Sequence, residues 1–382
     1  LEAIRQFRID VGPENCISVH LTLVPFIETS GEIKTKPTQH SVQRLREIGI
    51  QPDILLCRTK YHLDDSVKRK IALFCNVSQK AVIEAFDAET IYEIPLVFES
   101  QQLGDLIQKA LNLPKKRSNL NSLEKFVKKI KNPALEVSIA VCGKYTQLHD
   151  AYKSIIESFV HAGVENNCRV NIHWIEAEEL TVDNSADMLK DIDGLLIPGG
   201  FGDRGIEGKI RAIQIARETG IPFFGICLGL QCAVIEFARN RCGMSNANST
   251  EFDKDTEFPV IDLMEAQKSV SNKGGTMRLG AYPAQVQERT KALKIYGQAD
   301  ISERHRHRYE VNNEFLPRLT KNGLVVGAVN KELDLVEMIE LPDHPWFVAC
   351  QFHPEFKSRI NKAHPLFREF VRAAINYRKG KA

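Results

Sequence analysis

The chain has 382 residues, 43% of them hydrophobic and 26% charged, with a formal net charge of +2. This composition is typical of a globular protein long enough for two domains, and the small net charge gives no reason to expect a nucleic acid or a membrane as a partner. Nine cysteines without a C-x-x-C pair argue against a disulfide framework or a zinc site and favour a reducing cytoplasm. The longest apolar run, Ile221 to Ile235, is interrupted by Pro222 and Gln231 and is shorter than the ~18–20 residues of a membrane-spanning helix.

The first residues of the chain have the pattern of an amphipathic helix already under way. Leu1, Ile4 and Phe7 fall on one face, and no N-cap residue precedes them. There is no initiator methionine and no signal peptide at the start. We therefore expect the chain to be a fragment whose N-terminal portion is missing.

Strand and helix patterns alternate up to residue 113. Apolar runs predict strands over 15–27, 53–58 and 81–86, and helical periodicity predicts helices over 38–49 and 66–74. This alternation is typical of a parallel, doubly wound α/β sheet. Ligands of such sheets bind at the carboxyl ends of the strands.

One loop in this region carries lysine and threonine side chains next to a helix start, namely Lys34, Thr35, Lys36, Pro37, Thr38 and Gln39. Two ammonium groups, two hydroxyls and a helix N-terminus make a candidate phosphate-binding group, and a solvated basic loop is the alternative. The P-loop pattern G-x-x-x-x-G-K-[ST] occurs nowhere in the chain, so no cradle of that kind for ATP phosphates is predicted here.

The stretch from Pro114 to Pro133 is basic, is bounded by prolines and has an amphipathic helical middle. A nucleic-acid or membrane patch is one interpretation. We favour an interdomain linker over 114–135, because apolar strands are predicted both before and after this stretch. A second α/β domain is predicted from Glu136 to Lys379. The fold class is thus α/β, with two domains that are each built on a mostly parallel sheet flanked by helices.

The apolar strand from Ile221 to Phe224 leads into Gly225-Ile226-Cys227-Leu228-Gly229, and a helix is predicted from Gln231 to Arg239. Strand, Gly-x-nucleophile-x-Gly and helix is the pattern of a nucleophile elbow, here with cysteine in place of serine. The backbone N–H groups and the positive end of the following helix favour a thiolate. A buried structural cysteine between two turn glycines is the alternative.

Two further stretches supply groups that such a nucleophile needs. The strand from Gly194 ends in a glycine-rich turn up to Gly202, which can bring a backbone N–H close to an oxyanion. An apolar strand from Val348 to Phe356 carries His353 and Glu355. Alternate residues of an extended segment share a face, so we expect Glu355 to orient the His353 imidazole while that ring activates Cys227.

The run Arg304-His305-Arg306-His307-Arg308 resembles a basic nucleic-acid patch. Its strict alternation, however, puts the three arginines on one strand face and the two histidines on the other. Acidic residues flank the run on both sides, which weakens the binding of a polyanion.

These motifs resemble those of a known family. The glycine-rich turn from Pro198 to Gly202, the elbow and His353-Pro-Glu355 are similar to the signatures of class I glutamine amidotransferases. Longer stretches resemble CTP synthases of the bacterial type, namely 34–40, 248–253 and 304–312. The resemblance implies the C-terminal part of a synthase domain over 1–113, with its P-loop portion missing, and a class I glutaminase domain over 136–379.

The resemblance also implies site residues. The catalytic residues are Cys227, His353 and Glu355, with backbone N–H groups of Gly200 and Leu228 as the oxyanion hole. The implied glutamine-binding residues, in which Arg308 holds the α-carboxylate and Glu251 the α-amino group, are Gly200, Leu228, Gly229, Leu230, Gln231, Glu251 and Arg308. The implied contacts of UTP or the product CTP are Lys34, Thr35, Lys36, Pro37, Thr38, Gln39 and Lys70. The implied ATP contacts are Phe86, Asp87 and Ala88.

The implied reaction joins glutamine hydrolysis to the amination of UTP. Ammonia passes inside the protein to a UTP that ATP with Mg²⁺ has activated, GTP acts as an activator, and the enzyme is a cytoplasmic homotetramer. No metal ligand is expected in this chain, because the family holds Mg²⁺ in the part that precedes Leu1. A stand-alone cysteine hydrolase and a catalytically incomplete regulatory module are the alternatives.

Overall fold

The computed structural model describes residues 1–144, 146–263 and 277–381. The chain divides into two compact units, Leu1–Lys128 and Lys129–Ala382, each with hydrophobic core clusters of its own. The division falls within the stretch 114–135 that the sequence predicts to be a linker. None of the described helices is long and apolar enough to cross a membrane.

The first unit contains a three-stranded parallel sheet in the order β1-β4-β5 and a two-stranded antiparallel pair, β2-β3. The strands are β1 (Val19–Leu23), β2 (Phe26–Ile27), β3 (Glu32–Ile33), β4 (Ile54–Thr59) and β5 (Val82–Phe86). The helices that lie wholly in this unit are α1 (Glu2–Val11), α2 (Lys36–Glu47), α3 (Asp65–Cys75), α4 (Ile94–Ser100) and α5 (Leu103–Ala110). Helix α6 (Asn121–Lys131) spans the division between the units.

Local sequence signals explain these element boundaries. Helix α3 begins after Asp64, whose carboxylate caps the helix by accepting a hydrogen bond from the Val67 N–H. It ends at Asn76, which adopts the left-handed conformation with φ 56°. Burial of Leu55 and Ile71 then holds α3 against the sheet.

The second unit contains the remaining strands and helices. The strands are β6 (Leu135–Gly143), β7 (Cys168–Glu176), β8 (Gly194–Ile197), β9 (Phe223–Ile226), β10 (Ala247–Ser249), β11 (Phe258–Leu263), β12 (Arg278–Val286), β13 (Asp300–His307), β14 (Tyr309–Val311), β15 (Val325–Asn330), β16 (Leu335–Glu340) and β17 (Phe347–Cys350). The helices are α7 (Lys153–Glu165), α8 (Ser185–Met188), α9 (Ile206–Thr219), α10 (Leu228–Arg241), α11 (Lys291–Tyr296), α12 (Leu316–Lys321) and α13 (Pro365–Lys381).

Nine of these strands form one sheet in the order β13-β12-β15-β16-β17-β9-β8-β6-β7. The pairings from β17 to β7 are parallel, and those from β13 to β17 are antiparallel. The α/β class is confirmed, and the expected parallel order holds in one half of this sheet. The other half is antiparallel because short connections such as 331–334, between β15 and β16, leave no room for a crossover helix.

Strand β9 lies in the middle of this sheet and is buried on both faces. On one face Phe223 packs against Phe347, and on the other Phe224 packs against Phe367. Burial on both faces accounts for the continuous apolar run that predicted the strand. Helix α10, which follows at once, is buried from Leu228 to Ala238. The turn between β9 and α10 is therefore anchored in the core at both of its ends.

Candidate active site

Cys227 occupies the sharp turn between β9 and α10. Its backbone has φ 53° and ψ −101°, a conformation that non-glycine residues rarely adopt, and its exposed fraction is 4%. Helix α10 begins at Leu228, three residues before the predicted start at Gln231. The Leu228 N–H is thus one of the first amides of the helix, which have no acceptor within the helix itself. The elbow geometry that the sequence predicts is present.

The two glycines of the elbow are required by close backbone contacts. A Cβ atom on Gly229 would lie 2.3 Å from the Ile197 carbonyl oxygen, and one on Gly225 would lie 2.8 Å from the Gly229 carbonyl carbon. Both distances are shorter than any van der Waals contact. The glycines therefore let α10 approach β8 and β9 closely enough to present Cys227 at the sheet edge.

We expect Gly229→Ala to lower the free energy of unfolding by about 1–3 kcal/mol, because the added methyl overlaps rigid backbone atoms. Urea unfolding followed by tryptophan fluorescence measures this, since Trp174 and Trp346 both belong to the second unit. Gly380→Ala is the control, because nothing lies within 4 Å of a Cβ at that position of α13. Equal stability of the two variants would contradict the packing argument.

His353 lies beyond the strand that was predicted to carry it. Strand β17 ends at Cys350, and the segment Pro354–Phe356 forms a 3₁₀ turn with His353 at its start. The prediction of an extended segment up to Phe356 is wrong, because Pro354 has no N–H to continue a strand pairing. The turn nevertheless brings Glu355 back to the imidazole, and the distance between Glu355 Oε1 and His353 Nδ1 is 2.7 Å.

The His353 ring is fixed from several directions. It stacks on Phe356 with a centroid distance of 5.1 Å and an interplanar angle of 14°. Its backbone N–H donates a hydrogen bond of 2.8 Å to the Arg304 carbonyl oxygen. Of its two ring nitrogens, Nδ1 is engaged by Glu355, whereas Nε2 is buried and has no hydrogen bond of regular geometry among the described residues. The ring thus presents Nε2 as the atom that is open to chemistry.

Cys227 and His353 lie against the same residue of the glycine-rich turn. A Cβ on Gly199 would lie 2.7 Å from His353 Cε1 and 3.5 Å from Cys227 Cβ. Burial disfavours the charged imidazolium, but the interactions with Cys227 and Glu355 outweigh it and raise the pKa of His353 to about 10. The electrostatics of this site therefore favour an imidazolium beside the Cys227 sulfur at neutral pH.

A cavity of about 620 Å³ opens beside these groups. Seven of the predicted residues line it, namely Cys227, His353, Glu355, Gly200, Gln231, Glu251 and Arg308. The other three predicted glutamine contacts lie in the first turn of α10, where Leu228 and Leu230 are almost fully buried and Gly229 packs on β8. Residues on five separate segments of the chain thus converge on one volume.

Glu251 and Arg308 give the cavity one acidic and one basic group. Glu251 Oε1 accepts a hydrogen bond of 3.0 Å from the Gly202 N–H. Burial raises the pKa of Glu251, while that hydrogen bond and the positive charge of Arg308 act in the opposite direction. An ammonium group placed in the cavity would therefore find a partly buried carboxylate whose ionised form it stabilises.

The alternation predicted for the basic run is confirmed from Arg304 to His307, the part of the run that lies on β13. Arg304 and Arg306 are exposed, whereas His305 and His307 are buried. The strand ends at His307, so Arg308 lies in the bend before β14 and is only partly buried. Arg308 lines the cavity from this bend, and Arg306 lines it from the strand.

Buried ion pairs hold the base of this bend. Arg278 bridges Glu310 and Glu337 with distances of 3.0 and 2.6 Å, and its side chain is only 3% exposed. His307 bonds Glu310 and His305 bonds Glu337, each at 2.7 Å. Removal of one partner of such a buried network leaves an uncompensated charge, so the network fixes the β13–β14 corner firmly. The sequence pattern predicted the burial of the histidines but not the ionic partners of their side chains, which come from other strands.

Sequence analysis also missed Gln351. Its side chain is fully buried, and its Nε2 lies 3.7 Å from Cys227 Sγ. A signal was present, since this amide interrupts the apolar stretch from Phe347 to Phe352 two residues before His353.

Two of the nucleotide residues predicted in the first unit, Thr38 and Phe86, lie at the carboxyl edge of its sheet. Thr38, in the first turn of α2, donates a hydrogen bond of 3.0 Å to the carbonyl of Leu23, the last residue of β1. Phe86 is the last residue of β5, and its ring packs on His62 with a centroid distance of 4.6 Å. Strands β1 and β5 flank β4, so their ends are roughly 10 Å apart.

Other predicted nucleotide residues have partners of their own or are exposed. Lys34 pairs with Glu32, and Asp87 pairs with Arg58 at 2.7 Å. Thr35 is buried and receives a hydrogen bond from Gln39, and Lys70 is exposed on α3. Lys36 and Pro37 form the first turn of α2 and Ala88 follows β5. Across residues 1–144, 146–263 and 277–381, no group of three or more acidic, histidine or cysteine side chains could hold a metal ion.

An elbow cysteine, a His–Glu pair and a glycine-rich turn that face one cavity in an α/β fold define a class I glutamine amidotransferase. The sequence model described as "Glutamine amidotransferase class-I" matches residues 147–373. A second model, "CTP synthase N-terminus", matches residues 1–113. The glutaminase domain of a Trypanosoma brucei CTPS, solved with bound acivicin, is similar with a TM-score of 0.60 and 40% identity, over 63% of this chain and 94% of that one.

Curated relatives extend the similarity over nearly the whole chain. A CTP synthase of Caldanaerobacter subterraneus is 56% identical over 98% of this chain and 70% of its own length. A CTP synthase of Methanocaldococcus jannaschii is 55% identical over 98% of this chain and 71% of its own length. The chain belongs to the CTP synthase family and is therefore an enzyme, a ligase of pyrimidine biosynthesis.

The comparison corrects one expectation from the sequence. Residues 1–113 were predicted to be only the C-terminal part of a synthase domain without its P-loop, but they match the model of the synthase N-terminus. The synthase domain is thus represented in this chain, and the predicted lack of a P-loop has no support from the match.

Proposed function

We propose that the second unit hydrolyses glutamine and that the released ammonia serves the ATP-dependent amination of UTP to CTP. The observation that carries the first half is the convergence of Cys227, His353 and Glu355 with Glu251 and Arg308 on one cavity. The cavity offers a nucleophile, an oriented imidazole and a pair of opposite charges. Binding and hydrolysis of an amino acid with an amide side chain require each of these groups.

The proposed reaction begins with attack of the Cys227 thiolate on the glutamine side-chain carbonyl carbon. The C–N bond then breaks, and the proton held by His353 goes to the leaving nitrogen, which departs as ammonia. The glutamyl thioester remains on Cys227. Water gives a proton to His353 as it attacks the thioester, and the C–S bond breaks to release glutamate and the thiolate. Glu355 stabilises the imidazolium at each stage through its 2.7 Å hydrogen bond.

The tetrahedral intermediates carry negative charge on the former carbonyl oxygen. We assign the oxyanion hole to the backbone N–H groups of Gly200 and Leu228. The Leu228 amide is supported by its place at the start of α10, where the helix dipole adds a positive end. Gly229, Leu230 and Gln231 complete the first turn of this helix, and we assign them to the glutamine-binding surface.

We further propose binding of the glutamine backbone by the charged pair of the cavity. Arg308 is assigned to the α-carboxylate because its planar guanidinium forms bidentate pairs, and Glu251 is assigned to the α-ammonium group. The opposite signs of the two residues favour a zwitterion over a simple amide. The pair therefore favours a free amino acid with an amide side chain over amides that lack the α-ammonium and α-carboxylate groups.

For the second half of the reaction we propose UTP or CTP contacts at Lys34–Gln39 and Lys70, and ATP contacts at Phe86–Ala88. The helix start at Lys36 and the placement of both segments at one sheet edge fit a phosphate-bearing ligand. Mg²⁺ would accompany ATP, GTP would act as activator, and the assembly would be a tetramer. We propose domain limits of 1–113 and 136–379, with a linker over 114–135.

Release of glutamate and ammonia from glutamine, measured with and without UTP, ATP and GTP, tests this proposal. A glutaminase joined to a synthase is expected to respond to the nucleotides. A rate of hydrolysis that none of the three nucleotides changes would favour a stand-alone cysteine hydrolase. The absence of any hydrolysis, with native tryptophan fluorescence, would favour a regulatory module.

Arg308→Gln is expected to raise the KM for glutamine by about 10- to 100-fold, because a charge-assisted pair with the α-carboxylate is lost. The kcat should fall much less, since we assign the guanidinium to the α-carboxylate and not to the reacting amide. Arg304→Gln is the matched control, because this arginine is exposed on β13 and its side chain does not line the cavity. An unchanged KM in Arg308→Gln would remove Arg308 from the substrate site.

A further inference from the structure

The sulfur of Cys227 has a second polar neighbour besides His353. Gln351 directly follows β17, and its backbone N–H donates a hydrogen bond of 2.9 Å to the Glu337 carbonyl oxygen. Its side chain has no solvent exposure, and its Nε2 lies 3.7 Å from Cys227 Sγ. A buried amide needs partners for both of its ends, so the identity of the atom that faces the sulfur matters.

A neighbouring amide determines the orientation of Gln351. Gln231 contacts the Tyr309 carbonyl oxygen at 3.0 Å, and because that oxygen only accepts, the contacting atom of Gln231 must be its NH₂ nitrogen. The same nitrogen lies 3.4 Å from Gln351 Oε1. The reverse orientation of Gln351 would place two NH₂ groups against each other and an oxygen against the sulfur. The oxygen of Gln351 therefore faces Gln231, and its NH₂ group faces Cys227.

We infer that the side-chain amide of Gln351 is a positioning group for Cys227, which donates a hydrogen bond to the sulfur and favours its thiolate form. The inference deepens the proposed glutaminase function and rests on it. A thiolate with an exposed fraction of only 4% has lost most of its hydration, so each protein donor that replaces water stabilises the charge. The orphan amides at the start of α10 and the His353 imidazolium act in the same direction.

Gln351 also ties the nucleophile to the substrate-binding bend. The chain of contacts runs from the Cys227 sulfur through Gln351 and Gln231 to the carbonyl of Tyr309, the residue next to Arg308. Each contact restrains the next side chain. Loss of the Gln351 amide should therefore affect the state of the sulfur more than the overall fold, since Gln231 keeps its bond to Tyr309.

The described titratable groups near the sulfur act separately from the Gln351 amide, and besides those named below Tyr152, Arg306, His307 and Tyr309 line the cavity. His353 interacts with Cys227 directly, and Glu355 acts through His353. Cys350 lies on β17 beside the elbow, and burial raises its pKa well above its ordinary value, so it remains a thiol. Glu251 and Arg308 line the same cavity. None of these groups changes in a Gln351 variant.

The test is the rate at which iodoacetamide alkylates Cys227 between pH 5 and pH 10, read by mass spectrometry of the peptide that contains this cysteine. Gln351→Met has nearly the same length and no donor, and Gln351→Asn keeps an amide that is one methylene too short. We expect both variants to slow the alkylation of Cys227 about tenfold in the acidic part of this range, because a smaller fraction of the cysteine is thiolate there. The rates should converge in the alkaline part of the range, and the acid limb of kcat/KM for glutamine should move to higher pH.

Gln287→Met is the matched control, because this half-buried glutamine of the same unit bonds a backbone oxygen away from the cavity. Alkylation profiles of folded Gln351 variants that superpose on the wild-type profile overturn the inference. If Gln351→Met fails to fold, Gln351→Asn decides by the same criterion. A wild-type chain that alkylates normally but does not hydrolyse glutamine overturns the proposed function instead, so the two failures are distinguishable.

Discussion

Cys227→Ala is expected to lower glutamine hydrolysis by at least about 10⁴-fold and to leave the fold intact. The thioester can form only on the sulfur, and among the described residues that line the cavity no other group is a comparable nucleophile. The sulfur is small and borders the cavity, so its removal leaves the contacts of Gly225 and Gly229 unchanged. The measurement is glutamate release under saturating glutamine, with tryptophan fluorescence as the check on folding.

Cys232→Ala is the matched control for this experiment. Cys232 lies five residues further along the same chain segment, on α10, where it is fully buried in the hydrophobic core and does not line the cavity. Its substitution removes the same thiol at the cost of a small core void, and activity should stay within a few-fold of wild type. Near wild-type hydrolysis by Cys227→Ala would show that the nucleophile has been assigned to the wrong residue.

His353→Gln is expected to lower kcat/KM for glutamine by about a thousandfold or more. The variant keeps a polar side chain but cannot protonate the leaving ammonia or take a proton from water. His161→Gln is the control, since His161 is also buried and bonded to a side chain, Ser358, but lies outside the cavity lining. A comparable loss of activity in both variants would indicate a general effect of removing a buried histidine.

The same histidine gives the protein a defined pH dependence of stability. Its pKa is about 10 in the folded protein, above the value of about 6.5 expected in an unfolded chain. The stabilisation is therefore complete below about pH 6.5 and is lost as the pH rises toward 10. Urea unfolding of wild type and His353→Gln at pH 6, 8 and 10 should show a difference in the free energy of unfolding that shrinks with rising pH. A difference that grows over this range would mean that His353 is neutral in the folded state.

Much of the fold was readable because its signals are local. The apolar runs predicted β4 and β5 to within a residue, and helical periodicity predicted α3 to within a residue at each end. Helices α4 and α5, over 94–110, were missed because Pro95 and Gly104 interrupt the helical pattern. The antiparallel half of the large sheet was also missed, since pairing direction depends on which strands meet and not on the pattern within one strand.

The sequence by itself, through its motifs and the family that they resemble, indicated most of the residues of the candidate site. Only glycine fits at Gly225 and Gly229, and a strand followed at once by a helix is the pattern of the elbow, so this stretch indicated Cys227 as a candidate nucleophile. The glycine-rich turn and the His353–Glu355 pair were needed to favour that interpretation over a buried structural cysteine. The alternation of arginine and histidine along β13 likewise follows from the two-residue period of a strand. The catalytic roles of these residues stay predictions.

Tertiary structure alone decided how those residues meet. His353 reaches Glu355 through a 3₁₀ turn and not along a strand, Arg278 holds the substrate bend through carboxylates from two other strands, and Gln351 approaches the sulfur. The spacing of these side chains along the chain does not predict that they meet. For His353 and Glu355 it predicted an extended conformation, which is wrong. They form because the two cores of the second unit fix β9, β17 and α10 in space, and burial then requires every charged or amide group to find a partner.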